Sequence, residues 1–186
     1  MEAVLRAATM TNDDDALVAR CRAGEQEAFR VLIDRHQRMV YSVALRMLGN
    51  AEEATDVAQE TFVRAYMALD RYKPGGHFGA WLRRIAVNLC LNERRRPTAV
   101  SLDEVDPDGV TTDDPVHIVL AAAQAQAVRR AIHGLPPEYR AVVVLRYLDG
   151  LSYRDIAQSL GVSVPTVETR LHRAKKMLQE RLQDVV

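Results

Sequence analysis

Between residues 97 and 118 the chain carries six acids (Asp103, Glu104, Asp106, Asp108, Asp113 and Asp114), three prolines, one glycine and neither Lys nor Arg. A stretch of that composition has no apolar period with which to bury itself. It reads as a flexible acidic linker, and it obliges the 186 residues to fold as two units. The formal net charge of zero, 25 Lys+Arg against 25 Asp+Glu, conceals a block structure. Residues 1–60 carry 7 basic and 11 acidic groups, residues 61–96 carry 8 and 2, and residues 119–186 carry 10 and 6. Two basic segments flank the acidic one, a distribution suited to meeting nucleic acid through parts of the surface only.

Both flanking segments have helical periodicity. Upstream, Ala28, Phe29, Leu32, Ile33, Val40, Val43, Ala44 and Met47 recur at steps of three and four, which predicts a long amphipathic helix ended by Gly49 and Asn50. A second helix, Ala51 to Leu69, places Ala54, Val57, Ala58, Thr61, Phe62, Ala65 and Leu69 on one face and Glu52, Glu53, Asp56, Gln59 and Glu60 elsewhere. After Lys73-Pro74-Gly75-Gly76, a third helix starts near Phe78 and runs through Trp81, Ile85, Ala86 and Leu89 into Arg94-Arg95-Arg96. Trp81 reads as a core anchor, because it shares a helical face with Ile85. Downstream, Val119 to Ile132 is apolar and alanine-rich, Gly134 stops it, and Leu135-Pro136-Pro137-Glu138 starts the next segment. The β-branched run Ala141 to Leu145 is read as helix rather than strand, since no second strand exists to pair with it.

The most informative segment is Leu151 to Leu178. Ser152 caps a short helix with Asp155 three residues on, Ile156, Ala157 and Leu160 face inward, and Gly161 supplies a turn. Ser163 caps a second helix with Pro165 in its first turn and a buried stripe of Val167, Leu171, Ala174 and Leu178. That is a helix-turn-helix layout. Thr166, Thr169, Arg170, Arg173 and Lys176 fall outside the stripe, and these types suit base edges in the major groove and phosphates.

Three motifs then carry a family resemblance. Leu135-Pro-Pro-Glu-Tyr-Arg, with Leu145-Arg-Tyr-Leu-Asp-Gly-Leu-Ser-Tyr-Arg-Asp-Ile-Ala and Val162-Ser-Val-Pro-Thr-Val-Glu-Thr-Arg-Leu-His-Arg-Ala, resembles region four of bacterial sigma factors. Ala51-Glu-Glu-Ala-Thr-Asp-Val-Ala-Gln-Glu-Thr-Phe-Val-Arg-Ala-Tyr resembles region 2.2, and Phe78-Gly-Ala-Trp-Leu-Arg-Arg-Ile-Ala-Val-Asn resembles regions 2.3 and 2.4. Order, spacing and the lack of a region-three segment are similar to the extracytoplasmic-function (ECF) group of the sigma-70 superfamily. The resemblance implies an all-α fold of two helical domains, a region 2 bundle at 14–96 and a region 4 helix-turn-helix domain at 119–186. They are joined by the acidic linker at 97–118 and preceded by an extension at 1–13 to which no function is assigned.

By the same resemblance, Asp56, Gln59 and Glu60 dock on the β′ clamp helices of core RNA polymerase, and the β flap is a further contact. Tyr72, Lys73, His77, Arg83, Arg84, Asn88, Arg94, Arg95 and Arg96 engage the minus-ten element, with Asn88 capturing an unstacked base and the arginines holding phosphates. Ser163, Thr166, Thr169, Arg170, Arg173 and Lys176 engage the minus-thirty-five element. Glu168 stands where many relatives carry Lys or Arg, which leaves the promoter preference open. The linker either imitates nucleic acid within the polymerase or serves as an inert tether. An anti-sigma factor is a further implied partner, alongside promoter DNA.

Other classes of function find less in the residues. The longest uninterrupted apolar run, Ile118 to Ala123, is far short of the roughly 18 residues a membrane span needs. The N-terminus, which ends in Asp13-Asp14-Asp15, shows no secretory signal, so membrane insertion is not expected and a cytoplasmic location is. Cys21 and Cys90 and the five histidines show no metal-ligand spacing, and no Gly-rich phosphate loop or nucleophilic constellation is present. No cofactor, metal, catalytic residue or small-molecule substrate is expected. Two non-enzymatic alternatives remain: a dimeric helix-turn-helix repressor, which would bind its operator unaided, and a helical protein adaptor, against which the basic blocks count.

Overall fold

The computed structural model describes residues 13–75, 77–93 and 115–183. Helix α1 covers residues 13–22. It is followed by α2 (Gln26–Leu48), α3 (Ala51–Met67), a 3-10 turn (Leu69–Arg71), α4 (Phe78–Glu93), α5 (Pro115–His133), α6 (Pro137–Val143), a π turn (Val144–Leu148), α7 (Tyr153–Leu160) and α8 (Val164–Gln183). No strand occurs among the described residues. The linker, apart from its last residues, and Arg94, Arg95 and Arg96 lie outside the described residues, as does the extension before Asp13. Helix α5 already begins at Pro115, four residues before the expected start of the second domain.

Local chemistry sets these boundaries. Gly49 closes α2 in the left-handed conformation (φ 76°), its N–H donating to the Leu45 carbonyl at 2.8 Å. A Cβ there would also come within 2.9 Å of the His133 ring, which would have to move to admit it. Asn50 starts α3 by accepting from the Glu53 N–H at 3.0 Å. Ser152 caps α7 through the Asp155 N–H at 3.2 Å, and Gly161 (φ 66°) ends it. The run from Ala141 to Leu145 is helical, as expected, but widens into the π turn, where the Asp149 N–H reaches back to the Val144 carbonyl.

Helices α1 to α4 enclose a first core of Leu17, Val18, Phe29, Leu32, Val40, Phe62, Leu69, Tyr72, Phe78, Leu82 and their small neighbours. The inward face of α4 differs from the expected one. Leu82, Ala86, Val87, Leu89 and Cys90 are buried, whereas Trp81 and Ile85 are half-buried at the edge. The reason is that α4 packs on two sides, against α2 and α3 and against α7, and so carries a wider apolar stripe than a one-sided helix.

The second core crosses the boundary between the domains. Val43, Met47, Leu48, Val87 and Cys90 of the upstream helices join Ile132, Leu135, Val142, Val143, Val144, Leu145, Ile156, Val167, Leu171 and Ala174 in one cluster. At its centre Arg140 is 1% exposed. Its guanidinium donates to the carbonyls of Ile132 (3.2 Å), His133 and Leu135 (3.0 Å), and across the boundary to that of Met47 (2.6 Å). One cation thus serves the carbonyl ends of α5 and α2, where the helix dipoles place negative charge.

Candidate functional site

Three surfaces collect the residues singled out from the sequence. On α8 the stripe of Val167, Leu171 and Ala174 is buried between the other helices of the second domain, so the intervening residues turn outward. Thr169, Arg173 and Lys176 are exposed, and Thr166 and Arg170 are half-buried. Ser163 is occupied as the N-cap. Its Oγ accepts from the Thr166 N–H at 3.3 Å and pairs with the Thr166 hydroxyl at 2.8 Å. The Thr169 hydroxyl donates back to the Pro165 carbonyl at 2.9 Å. Thr166, Thr169, Arg170 and Arg173 line an open groove of about 430 Å³ together with Pro165, Glu138 and Tyr139. In the sequence Glu138 and Tyr139 belong to a region-four motif with no site role, because nothing in their own spacing brings α6 alongside α8.

The second surface is on α3. Asp56 and Gln59 are exposed, and Glu60 is half-exposed in an ion pair with Arg64 at 2.6 Å. Exposed pairs of this kind contribute about 0 to 1 kcal/mol, so the carboxylate remains available to a partner. Val63 (51% exposed) and Met67 (80%) continue the same strip at helical spacing. The signal for them lay in the i, i+3, i+4 repeat from Asp56, had it been followed for apolar as well as polar residues.

The third surface is the loop before α4 and the helix itself. Lys73, His77, Arg84 and Asn88 are exposed. Tyr72 is not: it is 5% exposed, its ring packs at 5.3 Å from both Phe78 and Trp81, and its hydroxyl donates to Asp15 at 2.7 Å. Tyr72 is therefore a strut of the first core and, contrary to the expectation from the sequence, does not face outward to meet DNA. Arg83 is three-quarters buried and faces the other domain, its Nε 3.8 Å from Asp149 Oδ2. Asp149 also accepts from Arg46 at 2.8 Å. Burial pushes the Asp149 carboxyl above its ordinary range, and the Arg83 and Arg46 cations oppose that shift.

Helix α7 lies between α4 and α8, so the two arginine-bearing helices belong to one packed body. Among the described residues no cluster of His, Cys, Asp and Glu could hold a metal ion, and no helix is long and apolar enough to cross a membrane. Cys21 and Cys90 are not joined in a disulfide, the former being half-buried and the latter buried.

Comparison with known proteins agrees with this division. Residues 32–99 match the family described as sigma-70 region 2, and residues 125–178 match that described as sigma-70, region 4. The ECF RNA polymerase sigma factor SigW of Bacillus subtilis (strain 168) is 34% identical over 182 residues, covering 90% of this chain and 96% of its own. The ECF RNA polymerase sigma-E factor of Escherichia coli (strain K12) is 34% identical over 184 residues, covering 93% and 96%. Among solved structures, that of CnrH in complex with the cytosolic domain of CnrY superposes with a TM-score of 0.69 at 30% identity, over 92% of this chain and 98% of that one. The sigma factor RpoE, in its complex with the anti-sigma factor NepR from Bartonella quintana, shares the fold (TM-score 0.67, 22% identity, 83% and 96% covered).

Proposed function

The chain belongs to the ECF group of sigma-70 family RNA polymerase sigma factors, and from that premise we propose how its residues divide promoter recognition among them. The strip of Asp56, Gln59 and Glu60, extended by Val63 and Met67, docks on the clamp helices of core polymerase. Lys73, His77, Arg84 and Asn88 meet the minus-ten element, with Arg94, Arg95 and Arg96 continuing the basic run, and Thr166, Thr169, Arg170, Arg173 and Lys176 meet the minus-thirty-five element. The observation that carries this reading is that α3 and α8 each bury one apolar stripe and leave Asp56, Gln59, Val63 and Met67 on the one, and Thr169, Arg173 and Lys176 on the other, exposed. Phosphodiester chemistry belongs to the polymerase, and the chain supplies binding alone. It acts in the cytoplasm, where polymerase and DNA are. The likeness to CnrH, which is held by the cytosolic domain of CnrY, supports an anti-sigma protein as a further partner.

The packed arrangement sets a condition on this function. Elements centred about 25 base pairs apart, at about 3.4 Å per step, lie about 85 Å apart on straight duplex. A compact chain of this length has a radius of gyration of about 16 Å, and here α4 rests directly on α7. The two domains therefore part on a promoter. The ion pairs of Asp149 with Arg46 and Arg83 belong to the unbound form, and separation releases Arg83 to a phosphate.

Run-off transcription with purified core polymerase tests the reading as a whole: transcripts from a cognate promoter require this chain, and an operator bound by the chain alone would point to a repressor instead. Two variants test the parts. Asn88→Ala should impair opening more than closed-complex binding, because a base edge is available only after melting. Permanganate reactivity and gel shift separate the two steps, and equal losses in both would reduce Asn88 to a backbone contact. Arg170→Ala should cost roughly 1 to 3 kcal/mol on the preferred promoter and flatten preference at one base pair if it reads guanine. A phosphate contact instead weakens all sequences alike and lowers the salt slope. Holoenzyme binding to a library randomised upstream, at several salt concentrations, distinguishes them. An unchanged preference and slope in the Arg170→Ala, Arg173→Ala double variant would remove α8 from the reading.

A further inference from the structure

The acidic run Asp13-Asp14-Asp15 divides its carboxylates between two sides, the first two toward α2 and the third toward the loop before α4. Asp13 pairs with Arg35 at 2.6 Å. Asp14, 5% exposed, meets His36 at 2.8 Å and Arg35 at 3.2 Å, and with the buried Leu17 and Val18 it fastens α1 to α2. Asp15 points away from α2, toward the loop that precedes α4. Its Oδ1 accepts from the Tyr72 hydroxyl at 2.7 Å and its Oδ2 from the Gly75 N–H at 2.9 Å. At the other end of α1, Arg22 Nη2 donates to the carbonyls of Leu69 (2.7 Å), Asp70 (3.3 Å) and Tyr72. One short helix thus holds the root of the loop and its turn, and leaves Lys73 and His77 projecting into solvent.

We propose that Asp15 is a positioning residue for promoter opening, setting the backbone from Tyr72 to Gly75, in the loop before α4, through paired bonds to those two residues. The inference rests on the assignment of that loop to the minus-ten element. A loop ordered before it meets DNA does not have to be ordered by the captured base, so more of the binding free energy goes into holding the strands apart. The Tyr72 bond couples the loop to the DNA-facing helix, since the same ring packs on Phe78 and Trp81 in the first turn of α4. Burial, and then the bond to Asp15, hold the Tyr72 hydroxyl above its ordinary value, so it remains a donor at neutral pH.

The test uses the full chain with core polymerase and a cognate promoter, in the variants Asp15→Ala, Tyr72→Phe and the double variant Lys73→Ala, His77→Ala. Affinity for polymerase and closed-complex formation are measured beside the rate of opening, and exchange of the Gly75 amide is followed in the free protein. Asp15→Ala should slow opening about tenfold or more and speed exchange at Gly75 by a similar factor, with polymerase affinity unchanged. Tyr72→Phe keeps the ring packing and removes only the hydroxyl, so it should show a smaller defect in the same step. A general loss of stability would lower polymerase affinity and opening together, and that result overturns the proposal. So does slow opening in the Lys73, His77 variant combined with normal opening in Asp15→Ala and Tyr72→Phe, which leaves the loop assignment intact. Normal opening in the Lys73, His77 variant overturns the loop assignment itself, and the proposal falls with it.

Discussion

Replacing Asp56, Gln59 and Glu60 together by alanine is expected to weaken binding to core polymerase about a thousandfold, or about 4 kcal/mol, while leaving the fold intact. Truncating a charged anchor at the centre of an interface typically costs about 2 kcal/mol or more, and three neighbouring truncations add incompletely. The fold should survive because Asp56 and Gln59 are exposed and Glu60 makes an exposed pair with Arg64, and because alanine is the best helix former. Val57, Ala58, Thr61 and Phe62, which hold α3 against the core, are untouched. Glu52→Ala, an exposed acid in the first turn of the same helix, provides the control, and it should bind polymerase as the parent does. A triple variant that retains its helical content and its affinity would refute this docking surface and would leave α3 as a merely solvated acidic face.

Arg140→Ala is expected to be the most damaging single substitution for stability, at about 4 kcal/mol. The loss has two parts. The carbonyls of Ile132, His133, Leu135 and Met47 lose a charged donor in a place water does not reach. Each unsatisfied buried carbonyl costs about 1 to 3 kcal/mol, with partial relaxation reducing the sum. The vacated volume adds a cavity term in a core packed by Val143, Val144 and Leu145. Against a total stability of about 5 to 15 kcal/mol, such a loss leaves the protein close to unfolding. Urea titration followed by circular dichroism measures it as a fall in the midpoint. Arg140→Met separates the two parts: it restores most of the volume but no donors, and should remain nearly as unstable as the alanine variant. Recovery of the parent midpoint in Arg140→Met would show that packing, not the guanidinium, is what matters at this position.

Both outcomes bear on how much of the protein was legible in its sequence. The helices could be read because what makes a helix acts over three or four residues. The apolar period of α2, the Ser152 cap, the Gly49 and Gly161 stops and the stripe of Val167, Leu171 and Ala174 all depend on neighbours close in the chain. The outward residues of α3 and α8 followed from the same geometry, since whatever is not on the buried stripe has to face elsewhere. The family motifs added which partner each face meets.

What the sequence could not fix were the side chains whose partners are far along the chain. Tyr72 looked like part of a DNA-binding loop, and only the fold brings Asp15, 57 residues away, to its hydroxyl. Arg140 looked like one more basic group in a basic block until Met47, 93 residues away, supplied a carbonyl. Arg83 looked like a phosphate contact and Asp149 like one more residue of a region-four motif, and the packing of α4 on α7 set them face to face beside Arg46, 103 residues from Asp149. A charged or hydroxylic side chain looks alike in a sequence whether it ends in water or in a core. Only the tertiary structure decides which, because desolvation and the partner that compensates it arise when distant segments close over the group.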